Sequence, residues 1–118
     1  MKYKHFSEIT VWQNAHQLTL TVYKITQKFP REERFRLVDQ VCRASASIGA
    51  NIVEGNEKYS KKDKANFLVT AKASAVEVEQ HLFLAKDLQY ISESEFKKLE
   101  KEIQSIAAQL GGWIKALL

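Results

Sequence analysis

Residues 37–55 read LVDQVCRASASIGANIVEG, and the spacing of these side chains decides the fold class. Apolar residues recur every three or four positions, which places them on one stripe of an α-helix. They are Leu37, Val41, Ala44, Ile48 and Ile52. A polar stripe runs beside them, and most remaining positions are small and uncharged. Small side chains allow another backbone to come close, so this helix is predicted to be covered on more than one side.

Similar helical patterns occupy the rest of the chain. A Ser or Thr three residues before an acidic residue or Gln fits a capping box at the start of a helix. Such starts are Thr10, Ser60 and Ser92. Gly55 suits the position that often follows a helix, and Gly111-Gly112 is expected to interrupt the last helix with a close contact or a kink. Four long helices with short connections predict an all-α, antiparallel up-down-up-down four-helix bundle, with residues 1–118 as one domain.

Composition narrows the class of protein further. A chain of 118 residues with 45% hydrophobic residues suits one domain with a real core and argues against disorder. No apolar run approaches the ~20 residues of a transmembrane helix, and no signal peptide is visible. The single Cys excludes an intramolecular disulfide and fits a reducing compartment. A cytoplasmic protein without a membrane partner is expected.

Motifs for catalysis are absent from the sequence. It contains no Gly-rich phosphate loop, no His-Glu-x-x-His, no Cys-x-x-Cys and no Gly-x-Ser-x-Gly. The three histidines are spread over the N-terminal lead, helix 1 and helix 3, whereas a metal site needs convergent ligands. We therefore predict no enzyme activity, no catalytic residue, no metal site and no cofactor.

The polar stripes of helices 2 and 3 predict a buried structural network. Equal counting from a turn near Tyr59 places Arg43 beside Ser74 and Gln40 beside Glu77, with an Arg43–Glu77 ion pair between the helices. The expected members are Gln40, Arg43, Asn51, Glu54, Ser74 and Glu77. Ligand or nucleic-acid contact is the alternative role for these residues.

Residues 43–55, RASASIGANIVEG, also carry a family resemblance. With Val11-Trp12-Gln13, Phe29-Pro30 and Ser74, the chain resembles the small four-helix-bundle proteins encoded in intervening sequences of bacterial 23S ribosomal RNA genes. The resemblance implies a ring-shaped homopentamer with no known catalytic activity. A related branch comprises accessory proteins of diversity-generating retroelements, which partner a reverse transcriptase and bind nucleic acid. Gln89 departs from the family, which often has Gly there, and leaves the end of helix 3 open.

The charge distribution suggests where nucleic acid would bind. The formal net charge is +4, a mild basic bias. In an up-down bundle the N-terminus, the helix 2–3 connection and the C-terminus share one end. The lysines expected to contact nucleic acid there are Lys2, Lys4, Lys58, Lys61, Lys62 and Lys64. Tyr59 lies among them and could stack on bases, while a solvated, solubilising end is the alternative.

Two helices carry apolar residues outside their core stripes. These residues are Trp12, Leu20 and Tyr23 on helix 1 and Val69, Val76 and Phe83 on helix 3. They are too many for the surface of a monomer, so they predict an interface between copies of the chain. Two functions remain open. One is an oligomeric scaffold that binds nucleic acid, RNA in the first place and DNA otherwise. The other is a protein-interaction scaffold or accessory subunit, for example of a reverse transcriptase.

Overall fold

The computed structural model describes residues 5–118, which form four long α-helices. They are α1 (Thr10–Thr26), α2 (Leu37–Glu57), α3 (Lys61–Asp87) and α4 (Glu93–Leu117). Short 3-10 turns precede α1 and α2, at Phe6–Glu8 and Arg31–Glu33. Each helix contacts the next along the chain, and α4 returns to contact α1. The predicted antiparallel up-down-up-down four-helix bundle is confirmed, and its principal extents are 44 × 23 × 21 Å.

The core forms where the apolar stripes of the four helices meet. From α1 it takes Val11, Ala15, Leu18 and Val22, and from α2 it takes the stripe that opens at Leu37. The stripe on α4 is buried from Phe96 to Leu110, in the three- and four-residue spacing read from the sequence. Full burial of a Leu or Ile side chain contributes about 1.5–3 kcal/mol, so these stripes dominate the stability of the bundle.

Serine caps begin α3 and α4 as predicted. Ser60 Oγ accepts from the Asp63 N–H at 3.0 Å. Ser92 Oγ accepts from the Glu95 N–H at 3.0 Å, and the Glu95 carboxylate accepts from the Ser92 N–H at 2.9 Å. This capping box lowers the pKa of Glu95, first through the backbone hydrogen bond from Ser92.

The predicted capping box at Thr10 is wrong. Thr10 is already helical, and Ile9 precedes the helix without a side-chain cap. The Gln13 side chain donates instead to the Ser7 carbonyl at 2.7 Å. The capping box lies earlier, where His5 and Glu8 bracket the 3-10 turn. This turn leads the chain into α1, which explains why the Thr10 side chain is not needed as a cap.

Gly55 does not end α2, because the helix continues to Glu57. Gly55 is buried, and a Cβ atom there would lie 3.2 Å from Phe67 Cβ and 3.3 Å from the Lys64 carbonyl oxygen. The glycine therefore allows α2 and α3 to approach closely. Similarly, α4 runs through Gly111 and Gly112 without a break. The expected interruption is wrong.

Gln89 ends α3 in a left-handed conformation, with φ of 65°. The Tyr90 N–H donates to the Ala85 carbonyl and the Gln89 N–H to the Lys86 carbonyl, both at 2.9 Å. This pair of bonds is the Schellman motif, in which Gly is the usual residue at the left-handed position. The family's frequent Gly at this place is thereby explained, and Gln89 accepts some backbone strain.

Candidate nucleic-acid interface and assembly surfaces

A tight connection of three residues, Lys58 to Ser60, joins α2 to α3 at one end of the bundle. We call this region the α2–α3 end. Tyr59 stands at its tip with 97% of its surface exposed. Lys61 and Lys62 follow at once in the first turn of α3, and both are exposed. An exposed aromatic ring beside two ammonium groups is an arrangement that can hold a phosphate backbone and stack on a base.

Two of the predicted contact lysines have structural roles. Lys64 Nζ donates to the Asn56 carbonyl at 3.1 Å and so satisfies an acceptor in the last turn of α2. Lys58 Nζ lies 4.9 Å from the centroid of the Phe67 ring, in a cation–π contact. Both side chains are half-buried. Lys2 and Lys4 lie outside the described residues, so the ammonium groups most open to a ligand here are those of Lys61 and Lys62.

The polar network between α2 and α3 is smaller than predicted. Ser47 Oγ and Ser74 Oγ are 3.0 Å apart across the helix pair. Asn51 Nδ2 donates to the Ser47 carbonyl at 2.8 Å and to Ser47 Oγ at 3.0 Å. Of the predicted members, Asn51 and Ser74 therefore lie in the network. Gln40 and Glu54 are exposed, with no side-chain hydrogen bond among residues 5–118.

The Arg43–Glu77 ion pair is wrong. Arg43 Nε lies 3.1 Å from Asp39 on the same helix, with 80% of its side chain exposed. Glu77 instead contacts His81, Oε2 to Nε2 at 3.1 Å, one turn further along α3. Ser47, four residues beyond Arg43, occupies the place opposite Ser74. The register error is one helical turn, because α2 continues past Gly55 and moves the connection further along the chain.

The apolar residues outside the core lie on two helices that are diagonal in the bundle. Leu20 and Tyr23 on α1 and Val69, Val76 and Phe83 on α3 are each about half exposed. Trp12 differs from these five residues. Its ring stacks on His16 with centroids 4.8 Å apart, and its Nε1 would lie 3.2 Å from a Cβ at Gly49. Trp12 is half-buried within its own bundle, where the small residue on α2 makes room for it.

A groove at the α1–α2 corner was missed by sequence reasoning. Its apolar lining includes Tyr23, Phe29, Pro30 and Val38, with Cys42 beside Thr26, and it encloses about 730 Å³. Arg31 and Arg34 also line it, and both are exposed. We call it the arginine groove. The signal was available in residues 30–36, PREERFR, where arginines alternate with an aromatic residue directly after Pro30.

The corner is held by a bond to the far side of the bundle. The Tyr90 hydroxyl donates to Glu33 Oε2 at 2.7 Å, and this bond raises the pKa of Tyr90. The Tyr90 ring also packs on Phe29, with centroids 5.3 Å apart. Phe35 remains 86% exposed at the corner. Because Glu33 is engaged by Tyr90, the guanidinium groups of Arg31 and Arg34 define the charge of the groove.

A second concave surface lies on the outer face of α3, and we call it the α3 patch. It is lined by Val76, Glu79, Gln80, Phe83, Leu84 and Asp87. The pKa of Glu79 is raised by burial and by its hydrogen bond and charge interaction with Glu100 on α4. Asp87 lies 3.6 Å from Lys86, whose ammonium group sits 4.0 Å from the centroid of the Phe83 ring. The patch is therefore apolar at its centre and acidic at its rim.

The described residues offer no evident centre for metal chemistry. Within residues 5–118, no group of three or more His, Cys, Asp or Glu side chains could hold a metal ion. None of the helices in this range is long and apolar enough to cross a membrane. The surfaces with distinctive chemistry are thus the α2–α3 end, the arginine groove and the α3 patch.

Comparison with known proteins places the chain in a family. The sequence pattern of the 23S rRNA-intervening sequence proteins matches residues 7–112. The fold is similar to the crystal structure of a protein of unknown function from the S23 ribosomal protein family of Bacteroides thetaiotaomicron. The TM-score is 0.80 at 27% identity, over 89% of this chain and 98% of that chain. A search of curated proteins returns no match. Since the family pattern spans most of the sequence, the chain belongs to the 23S rRNA-intervening sequence protein family.

Proposed function

We propose that this protein is a non-enzymatic, homo-oligomeric helical scaffold of the cytoplasm that binds RNA through the α2–α3 end. The observation that carries the RNA-binding part is Tyr59, which is 97% exposed beside the exposed Lys61 and Lys62. A large aromatic ring held fully in water has no packing role in its own bundle. Flanked by cations, it matches the combination of stacking and phosphate contact by which proteins hold RNA strands.

The oligomeric part of the proposal rests on the apolar faces of α1 and α3. Leu20, Tyr23, Val76 and Phe83 are about half exposed, and contiguous apolar surface of this kind marks an interaction site. The two helices are diagonal in the bundle, so one flat contact cannot cover both faces. Either two different interfaces form or one face contacts the other in a neighbouring copy. The second arrangement builds rings and agrees with the pentamer that the family resemblance favours.

A protein-interaction scaffold is the second candidate, and the same apolar faces favour it. In that case the partner would be another polypeptide, such as a reverse transcriptase for which this chain is an accessory subunit. Nucleic acid would then bind neither tightly nor in a salt-dependent way. Phosphate contacts release counterions and weaken as salt rises, so a salt titration separates the two candidates.

The test compares two matched pairs of lysine substitutions. Lys61→Gln with Lys62→Gln alters the first turn of α3, and Lys97→Gln with Lys98→Gln alters an early turn of α4 at the other end. All four side chains are exposed, so folding should be unchanged in both variants. For the first pair we expect weaker binding to a labelled hairpin RNA and a salt slope smaller by about 1 to 2, since each phosphate contact contributes about 0.7–0.9.

Fluorescence anisotropy at several salt concentrations measures both quantities, and circular dichroism confirms the fold. The Lys97/Lys98 variant should bind like the wild type. Absence of RNA binding by the wild type at low salt, or equal losses in the two variants, would reject the α2–α3 end as the binding surface. The protein-interaction scaffold would then be the better account.

A further inference from the structure

The arginine groove and the α3 patch have complementary chemistry. The groove has an apolar floor of Phe29, Pro30 and Val38 below Arg31 and Arg34, with no acidic side chain among the described residues that line it. The patch has Val76, Phe83 and Leu84 at its centre, with two carboxylates, Glu79 and Asp87, among its lining residues. Guanidinium groups bind carboxylates in a bidentate geometry and tolerate partial burial better than ammonium groups.

The carboxylates of the patch also lack enough cation within their own chain. Glu79 and Glu100 share a hydrogen bond between α3 and α4, so two acidic groups lie together. Lys86 Nζ is 3.6 Å from Asp87, but its ammonium group is also committed to the rings of Phe83 and Phe96 at 4.0 and 5.1 Å. An arginine brought from outside would relieve the repulsion between Glu79 and Glu100.

The two surfaces lie at the same level of the bundle. Thr26 Oγ1 and Cys42 Sγ, at the groove, are 3.7 Å apart. Ser47 and Ser74 are hydrogen-bonded across α2 and α3. Five residues back along α2 from Ser47 lies Cys42, and five residues on along antiparallel α3 from Ser74 lies Glu79. A neighbouring copy can therefore present its patch to the groove with little shift along the bundle axis.

The surfaces also face different sides of one molecule, so a chain cannot pair them by itself. The groove opens between α1 and α2, whereas the patch lies beside α4, where Phe83 meets Phe96 with ring centroids 5.4 Å apart. Contact between unlike surfaces of identical chains is heterologous, and it closes into a ring when the rotation between copies allows it.

We infer that the arginine groove of one chain binds the α3 patch of a second copy, with Arg31 and Arg34 facing Glu79 and Asp87. This inference rests on the proposed homo-oligomer and names its contact surfaces. Nucleic acid would also suit the two arginines, but it would leave the acidic patch and its half-exposed Phe83 uncovered. A second copy covers both surfaces with a single kind of contact.

The experiment reverses the charge on each surface separately and then on both. The groove variant carries Arg31→Glu and Arg34→Glu, the patch variant carries Glu79→Arg and Asp87→Arg, and the combined variant carries all four. Control reversals are Lys61→Glu with Lys62→Glu for the basic surface and Glu54→Arg with Glu57→Arg for the acidic one. The control residues are exposed and lie at the opposite end of the bundle.

Analytical ultracentrifugation over a range of concentrations gives the concentration at which half of the chains are assembled. We expect that concentration to rise about 30-fold or more in each single-surface variant, because unlike charges that met on desolvated surfaces now repel. The combined variant should recover much of the lost affinity, which also shows that the substitutions leave the fold intact. Both controls should assemble like the wild type.

Other outcomes overturn the inference in distinguishable ways. A wild type that stays monomeric would reject the homo-oligomer itself. A wild-type oligomer that is unaffected by the groove and patch variants would reject this pairing alone, as would a combined variant that remains dissociated. Loss of hairpin RNA binding in the groove variant without a change in mass would assign the groove to nucleic acid instead.

Discussion

At the scale of single residues, Gly55 sets how closely two helices approach. Sequence reasoning correctly treated this glycine as a special position and gave it the wrong role. A glycine near the end of an apolar pattern usually marks a helix terminus, and the sequence gives no sign of what lies across from it. Only the fold shows that Phe67 Cβ and the Lys64 carbonyl would lie 3.2 and 3.3 Å from a Cβ at this position.

Gly55→Ala should therefore destabilise the bundle, by about 1–3 kcal/mol from overpacking, which exceeds the gain in helix propensity of about 1 kcal/mol. Gly112→Ala is the matched control, because no atom lies within 4 Å of a Cβ there. The control should be neutral or stabilising by up to about 1 kcal/mol. Urea unfolding measures both variants, and equal behaviour of the two would contradict the close approach at Gly55.

At the scale of helices, what the sequence predicts well is what local spacing determines. The four helices, the serine caps of α3 and α4 and the apolar stripe of α4 all follow from residues within a few positions of each other. The register between α2 and α3 does not, because it depends on where the connection falls. Two extra residues of α2 beyond Gly55 and the tight connection after Glu57 put Ser47, instead of Arg43, opposite Ser74.

A pair of double-mutant cycles tests that register. Ser47→Ala and Ser74→Ala should show coupling of about 0.5–1.5 kcal/mol, because each removes one side of a partly buried hydrogen bond. Arg43→Ala and Glu77→Ala should be additive, since those side chains pair with Asp39 and His81 on their own helices. Coupling between positions 43 and 77, measured by chemical denaturation, would restore the register expected from equal counting.

At the scale of the whole molecule, the proposed functions are assigned to separate parts of the bundle. The α2–α3 end lies at one end of a bundle 44 Å long, and the arginine groove lies near the other. The sequence predicted the first surface because its lysines are contiguous. It missed the groove and patch because their residues come together only when helices are packed, as when Arg31 and Cys42 line one cavity.

Tyr59→Ala should separate RNA binding from every other property of the protein. The ring is 97% exposed, so stability and oligomer mass should not change. Affinity for hairpin RNA should fall by about 1–3 kcal/mol if one base stacks on the ring. Phe35→Ala is the control at the other end, since that ring is 86% exposed as well. A Tyr59→Ala protein that binds RNA as tightly as the Phe35→Ala protein would remove the stacking contact from the account.

The position of Cys42 gives the protein a built-in chemical handle. It is the single cysteine of the chain, it lines the arginine groove, and its side chain is only partly buried. A thiol-reactive fluorophore would therefore attach at one place without any engineering. Reaction with the thiol requires access through the groove, so the labelling rate would report whether a neighbouring copy covers that surface. The wild-type chain thus carries its own probe of assembly.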